Sequence, residues 1–294
     1  MDLSIIIISW NVKDKLRENL RAIFQSEGGF SFGVFVVDNN SEDGTVEMIK
    51  KEFPQVAVIA NSVNLGFAKA NNQVLRQVDT PYVLLFNPDM RVRKDTLVKM
   101  LNWMKNNPQA IVATCELMET SGATIRQVRR FPTVWDQLAI ILKFPHIFPG
   151  ILNRYIRADF DYRKAARVDS IRGGFMFINW TAVKELPLDL DSTLPYFDER
   201  YFLWFEEVDW CRQIKKAGGQ VWYTPVAQCF DYVGQSFKQL PRDRAQRIFR
   251  ASQLAYFKKW QPVWQYRLLK LAWPIGLFLT WLGKKMRLQT KAKT

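Results

Sequence analysis

Leu3 to Ser9 holds four isoleucines in a row and is cut off by Trp10-Asn11. A run this dense in β-branched residues has no polar face. It predicts a central parallel strand buried on both sides. Such a strand needs helices above and below it, which restricts the chain to an α/β architecture.

The next eighty residues supply that pattern. Residues 13 to 26 carry apolar side chains at helical spacing (Leu16, Leu20, Ile23, Phe24), stopped by Gly28-Gly29. Phe32 to Val37 reads as a second strand. The polar loop from Asp38 to Thr45 opens a helix through Phe53, with Pro54 as its breaker. Val56 to Ala60 is a third strand, and Asn64 to Asn72 is a loop running into a helix that ends near Gln77. Tyr82 to Phe86 is the fourth strand. Strand and helix alternate throughout, as in a doubly wound, mostly parallel sheet. No G-x-G-x-x-G follows the first strand, which argues against a dinucleotide site.

The fourth strand ends in Asn87-Pro88-Asp89, where Pro88 offers no donor to a ladder. Asp38 and Asp89 therefore both sit at carboxyl ends of strands, where open α/β sheets bind ligands, and can share one crevice. A single carboxylate there suits Mg²⁺ or Mn²⁺, which accept one or two protein oxygens and let substrate phosphates supply others. Taken alone, Asp89 reads more readily as an ordinary turn residue in a strand-to-helix loop, and the other blocks of the chain reverse that preference.

Beyond Asp89, Lys94 to Asn107 reads as a helix and Ala110 to Leu117 as a strand. Residues 119 to 172 are less regular and carry Arg126, Arg129, Arg130, Arg154, Arg157, Arg163 and Arg167. They form either an acceptor-facing segment or a solvated insertion. His146 is the sole histidine, so neither a triad nor a zinc site is available. Gly173-Gly174, inside the apolar stretch from Asp169 to Trp180, imply a bulge or a close approach of backbone to ligand. An aromatic wall, Phe197 to Phe205, leads into a helix starting near Glu206 and ended by Gly218-Gly219, with a strand from Gln220 to Tyr223. Acids in a first helical turn are favoured by the helix dipole. Two carboxylates behind so many aromatics are also half-desolvated, which raises a carboxylate's pKa and fits a general base.

Taken together, Ile5 to Asn11, Val36 to Thr45, Asn64 to Asn72, Leu84 to Met90 and Phe197 to Arg212, with Gly173-Gly174, resemble glycosyltransferase family 2, the inverting nucleotide-sugar transferases of the GT-A fold. The sub-pattern is similar to bacterial rhamnosyltransferases that build O-antigen, capsule or cell-wall linker glycans. The resemblance implies a nucleotide-sugar donor, best matched by dTDP-rhamnose with UDP- and GDP-sugars as alternatives. It implies a lipid-linked polyprenyl or glycan acceptor. It assigns nucleotide contacts to Ser9, Trp10, Asn11, Asp38, Asn64 and Asn71, and metal binding to Asp89. Donor or acceptor contacts fall to Asn87, Gly173, Gly174, Glu206 and Arg212, and the role of general base to Glu207. Asn87 replaces the first Asp of a D-x-D, and Glu207 stands where relatives carry Asp. Asp231, before Gly234-Gln235-Ser236, stands where relatives often carry a metal-binding His; its oxygens still suit Mg²⁺ or Mn²⁺.

Net charge is +14, and it is unevenly placed. From Lys238 to Thr294 there are 14 Lys/Arg against one acid, Asp243, a balance of +13 that leaves the first 237 residues at +1. The expected organisation is a GT-A catalytic domain over 1–237, with a nucleotide-sugar half (1–118) and an acceptor half (119–237), followed by a basic helical tail over 238–294. Pro241 to Trp260 reads as one helix, and Trp264 to Trp281 as an apolar segment broken at Pro274. The uncharged run Leu271 to Leu282 is too short to span a bilayer. Flanking tryptophans and cations predict an in-plane anchor on an anionic membrane, at the cytoplasmic face. The alternative is a helical pair packed on the catalytic domain or on a second subunit. A nucleic-acid binder would interleave its basic and aromatic residues on the main body, so nucleic acid is not expected as a partner. A nucleotidyltransferase would want a phosphate loop after the first strand, and a processive synthase several membrane spans. Cys115, Cys211 and Cys229 lack metal-like spacing and read as reduced thiols of an intracellular protein. Met1-Asp2-Leu3 does not begin a signal peptide.

Overall fold

A computed structural model describes residues 1–187, 189, 191–232 and 240–291, with residues 242 and 283–291 as backbone only. The Gly234-Gln235-Ser236 turn expected beside Asp231 lies outside the described residues.

The opening run forms β1 (Leu3–Ser9), followed by α1 (Lys13–Phe24), β2 (Phe32–Asp38), α2 (Thr45–Glu52), β3 (Ala57–Ala60), α3 (Phe67–Leu75) and β4 (Tyr82–Phe86). Strands β3–β2–β1–β4 are parallel neighbours. The isoleucines divide between two cores: Ile5 and Ile7 pack on one face with Leu16, Leu20 and Leu84, Ile6 on the other with Val74, Leu85 and Trp210. That split is what a two-sided strand requires, because successive side chains point to opposite faces.

Past β4 the sheet becomes mixed. β5 (Met90–Val92), α4 (Thr96–Asn106), β6 (Ala110–Met118), α5 (Val134–Ile141), β7 (Ala166–Val168), β8 (Phe175–Asn179), α6 (Trp180–Lys184), α7 (Glu206–Lys216) and β9 (Gln220–Asp231) complete the body. The strand order is β3–β2–β1–β4–β8–β6–β9–β5, with β7 beside β9. β8 is antiparallel to both β4 and β6, while β6 and β9 are parallel.

Three sequence expectations need correction. Gly173-Gly174 lie in the turn before β8 rather than inside a strand, since the ladder begins with the Phe86–Phe175 pair. Residues 119–172 are more ordered than their composition implied. Thr133 and Asp136 form a reciprocal cap on α5, a signal that was available in the sequence. The tail forms α8 (Arg242–Trp260) and α9 (Val263–Lys291), and α9 continues through Pro274. Packing on α5 through Leu269, Ala272 and Trp273 compensates for the hydrogen bond that proline removes.

A third core joins the tail to the body: Tyr256, Phe257, Leu269 and Trp273 bury against Val134, Ile141, Tyr201, Phe205 and Val208. Inside it, Trp273 donates to Gln253, which donates to Gln137 of α5. Among the described residues no helix is long and apolar enough to cross a membrane.

Candidate functional site

Ser9 and Asp38 are paired in register at the carboxyl ends of β1 and β2. Both are buried. Asp38 Oδ2 accepts from the Ser41 N–H at 2.8 Å, while its Oδ1 and the Ser9 hydroxyl have no partner. Orphaned polar atoms side by side are costly unless a ligand satisfies them. Asn11, at φ +50°, locks the rim: its N–H donates to Ser41 Oγ and its Oδ1 accepts from the Glu42 N–H. Asn39 donates to the Gly66 carbonyl, and Asn64 caps the same turn by accepting from the Gly66 N–H at 2.9 Å. Gly66 has φ +79°, and a Cβ there would lie 2.3 Å from the Phe202 carbonyl. The Phe67 N–H donates to that carbonyl, so this turn closes on the aromatic wall.

The Asn87-Pro88-Asp89 turn is held from below by Asn19 of α1, whose amide donates to the carbonyls of Asn87 and Met90 at 2.9 and 2.8 Å. The Asn87 N–H donates to the Gly174 carbonyl. Asp89 is buried. The β5–β9 pairing sets Met90 opposite Asp231, and the Tyr232 N–H donates to the Asp89 carbonyl, so both carboxylates reach the same end of the sheet. Asp231 is ion-paired with Arg172 at 3.1 Å. No cluster of three or more metal-ligating side chains occurs among the described residues. One buried carboxylate with a second beside it still fits a hard divalent cation that draws further oxygens from a diphosphate.

Glu206 and Glu207 open α7 behind Trp204 and Phe205, which take left-handed φ of +66° and +70°. Bulky residues rarely adopt that backbone, and the strain aims the first turn of α7 at the sheet end. Burial, together with the Glu207 charge, pushes the Glu206 carboxyl well above the usual range. Burial also raises Glu207, against the lowering pull of Arg129 and Arg172. The Oε2 atom of each is without a hydrogen bond. A Cβ on Gly173 would sit 3.5 Å from Glu207 Cβ, and one on Gly174 3.1 Å from the Asn87 amide. The paired glycines are therefore the spacer between the metal-side turn and the candidate base.

An open cleft lies beside the Asn87-Pro88-Asp89 turn, and Ser9, Asp38, Gly173, Gly174, Glu206 and Glu207 are not among the residues that line it. Trp10, Asn64, Asn87 and Asp89 line it, with Phe202 and Leu203 of the aromatic wall. Arg244 of α8 also lines it, which the sequence reading did not assign. Asn71 donates to the Phe67 carbonyl within α3. Arg212 donates to the Tyr256 hydroxyl at 2.9 Å and stacks on Trp260, so it fastens the tail to α7. Asn19, Arg129 and Arg172 complete the site. The two arginines were visible only as charges in irregular sequence.

Residues 4–169 match the family model described as Glycosyl transferase family 2. The chain is similar to the rhamnosyltransferase WbbL of Escherichia coli, at 22% identity over 78% of this chain and 82% of that protein. It is also similar to the N-acetylglucosaminyl-diphospho-decaprenol L-rhamnosyltransferase of Mycobacterium tuberculosis, at 22% identity over 69% and 67%. The curated relatives are matched over 29% to 82% of their own length. The crystal structure of S. aureus TarS 1-349 in complex with UDP superposes with a TM-score of 0.55 at 15% identity, covering 87% of this chain and 66% of that one. That likeness shows the fold, a GT-A-like α/β sheet with flanking helices.

Proposed function

The chain belongs to glycosyltransferase family 2, and from that premise we propose that it is an inverting transferase. It moves a sugar, with rhamnose from dTDP-rhamnose as the first choice, onto a lipid-linked or glycan acceptor in cell-surface polysaccharide synthesis. The similarity to two rhamnosyltransferases supports the sugar, and the decaprenol-linked substrate in one relative's name supports the acceptor class.

The observation that carries the reading is that Gly173 lies against Glu207 while Gly174 lies against Asn87 and Met90, the residues of the turn that carries Asp89. In this reading the orphaned Asp38 Oδ1 and Ser9 hydroxyl receive the nucleoside, and Trp10 walls it. Asp89, with Asp231 beside it, would hold Mg²⁺ or Mn²⁺, whose chemistry is to offset charge on the leaving diphosphate. Glu207 takes the proton from an acceptor hydroxyl. Burial raises its pKa, which makes its carboxylate the stronger base for that transfer. The hydroxyl attacks the anomeric carbon from the face opposite the diphosphate, which inverts it in one displacement. Small backbone at 173–174 leaves room for the sugar between the two carboxylates. The enzyme works peripherally at the cytoplasmic face of the membrane.

The test is nucleoside diphosphate release from a panel of nucleotide sugars, with Mg²⁺, Mn²⁺ or EDTA. The expected result is release from one donor, dependent on metal, and reduced about 10²-fold or more in both Asp89→Ala and Glu207→Gln. Absence of binding to every nucleotide sugar, with or without metal, would falsify the reading.

A further inference from the structure

Twelve of the fifteen large apolar side chains exposed among the described residues fall in two stretches, 135–151 and 263–281. Single exposed apolar residues are ordinary, but a contiguous patch marks an interaction surface. On α9, Leu269, Ala272 and Trp273 are buried against the body. Gly276 lies so close to α5 that a Cβ would meet Ile141 at 2.6 Å. The opposite face is also apolar: Trp264, Leu271, Ile275, Phe278 and Trp281 recur at three- to seven-residue spacing and stay exposed, Leu271 at 71%. A helix apolar all round is normally buried all round. Here one side is uncovered.

The second stretch adjoins the first. Lys143, Leu277 and Thr280 line one cleft between α5 and α9, so the turns that follow Lys143 start near Leu277, itself an exposed apolar side chain at the edge of α9. Those turns present Phe144, Ile147, Phe148 and Ile151 outward, with Ile147 exposed at 68%.

We propose that these two stretches form one surface that seats the protein on an anionic lipid bilayer, with α9 lying in the interface and the 144–151 turns inserting beside it. Charge selects this occupant. No carboxylate occurs between Gln137 and Ala158, or between Val263 and Lys291, whereas Lys143, Arg154, Arg267 and Lys270 do. A second copy of the chain would bring like charges together; anionic headgroups complement them. Trp264 and Trp281 stand at the two ends of the stripe, where indole rings favour the headgroup level. No described helix can cross the membrane, which leaves in-plane seating. The inference deepens the proposed peripheral location and rests on it only for its biological purpose, bringing the cleft to a lipid-linked acceptor.

The experiment is flotation of the full chain with phosphatidylglycerol-containing vesicles and with pure phosphatidylcholine vesicles, alongside calorimetric binding of dTDP and UDP. Two pairs of exposed substitutions are compared, Leu271→Glu with Phe278→Glu, and Ile147→Glu with Phe148→Glu. The expected result is preference for the anionic vesicles, a loss of at least about tenfold in the bound fraction for either pair, and unchanged thermal unfolding and nucleotide binding. Undiminished flotation of the Ile147/Phe148 pair would remove those turns from the surface and overturn the two-part proposal. A natural chain that ignores vesicles but sediments as a dimer, dissociated by the Leu271/Phe278 pair, would make the face a contact between copies. Vesicle binding without any nucleotide binding would leave the surface standing and sink the transferase reading instead.

Discussion

Lys259, in the tail, lies 2.8 Å from Asp209, two residues past Glu207 on the helix that carries the candidate base. The same ammonium reaches Asp198 at 3.1 Å, and Trp260 donates to Asp209 as well. Asp209 is fully buried and also accepts from Tyr201 and Gln213. The tail is thus the counter-charge for α7. Lys259→Met leaves two buried carboxylates short of a cation, which costs about 3–5 kcal/mol. Urea denaturation should show a lower midpoint at unchanged slope, and truncation before residue 240 should yield an unstable protein.

The same network sets an acid limit. Burial raises the Asp198 carboxyl, but Arg200 and Lys259 overcome it and hold the group down at about 2. A carboxylate depressed in the folded state contributes stability that is complete above its unfolded value near 3.8 and is lost as pH falls through the folded one. Stability should therefore fall between about pH 4 and pH 2, and Lys259→Met should flatten that fall. Thermal unfolding followed over that range reads both effects.

Glu206 has the opposite sign. Its folded pKa lies above its unfolded value, so its contribution is complete below the unfolded value and is lost as pH rises through the folded one. Glu206→Gln should stabilise the protein at pH 8 and lose that advantage toward pH 4. Transfer needs Glu207 ionised, so the acid limb of the rate profile should lie above the ordinary glutamate range. It should stay in place in Glu206→Gln, because the charge of Glu207 holds Glu206 neutral while Glu207 ionises, and burial is what raises Glu207. A pH–rate profile of both proteins, beside urea titrations at the two pH values, decides this.

Much of the nucleotide half was legible because its signals are local. A run of isoleucines can only be a two-sided strand, and a carboxylate after the strand must land at the ligand-binding edge. What was not legible depends on partners distant in sequence. Asn19 looks like any polar residue on a helix until it is seen holding residues 87–90. Asp231 gives no sign in the sequence that Arg172 is ion-paired with it. Counting charges left open whether the tail packs on the body, because Asp198 and Asp209, the acids that bind Lys259, lie far from it in sequence. Pro274 argued for a break that packing on α5 overrides.

Gly66 offers a test of the cleft's closure. Its backbone, φ +79° and ψ −175°, is open to glycine almost alone, and a Cβ would strike the Phe202 carbonyl. Gly66→Ala should cost about 1–3 kcal/mol and also weaken donor binding by displacing Phe202 from the cleft wall. Gly122→Ala is the control: φ is +88°, but nothing lies within 4 Å of the added carbon. It should lose stability without touching donor affinity, as calorimetry on both variants would show.

Arg244 shares the cleft with Asp89 and Asn87, yet it comes from α8. Among the described residues no carboxylate forms an ion pair with it, and it is one of the residues that line the cleft. Asn87 supplies no charge where a second carboxylate could have held more metal, which makes another source of positive charge at the diphosphate useful. A charge-assisted hydrogen bond there contributes about 1.5–3 kcal/mol. Arg244→Ala should accordingly weaken dTDP or UDP binding by roughly ten- to a hundredfold while leaving the free nucleoside unaffected. Arg244→Lys should recover part of the loss, because an ammonium keeps the charge and forgoes the two-pronged geometry. Calorimetry with diphosphate and nucleoside, in Mg²⁺ and in EDTA, separates this residue from the metal. Equal weakening of nucleoside and diphosphate would instead mean that Arg244 shapes the cleft without contacting phosphate.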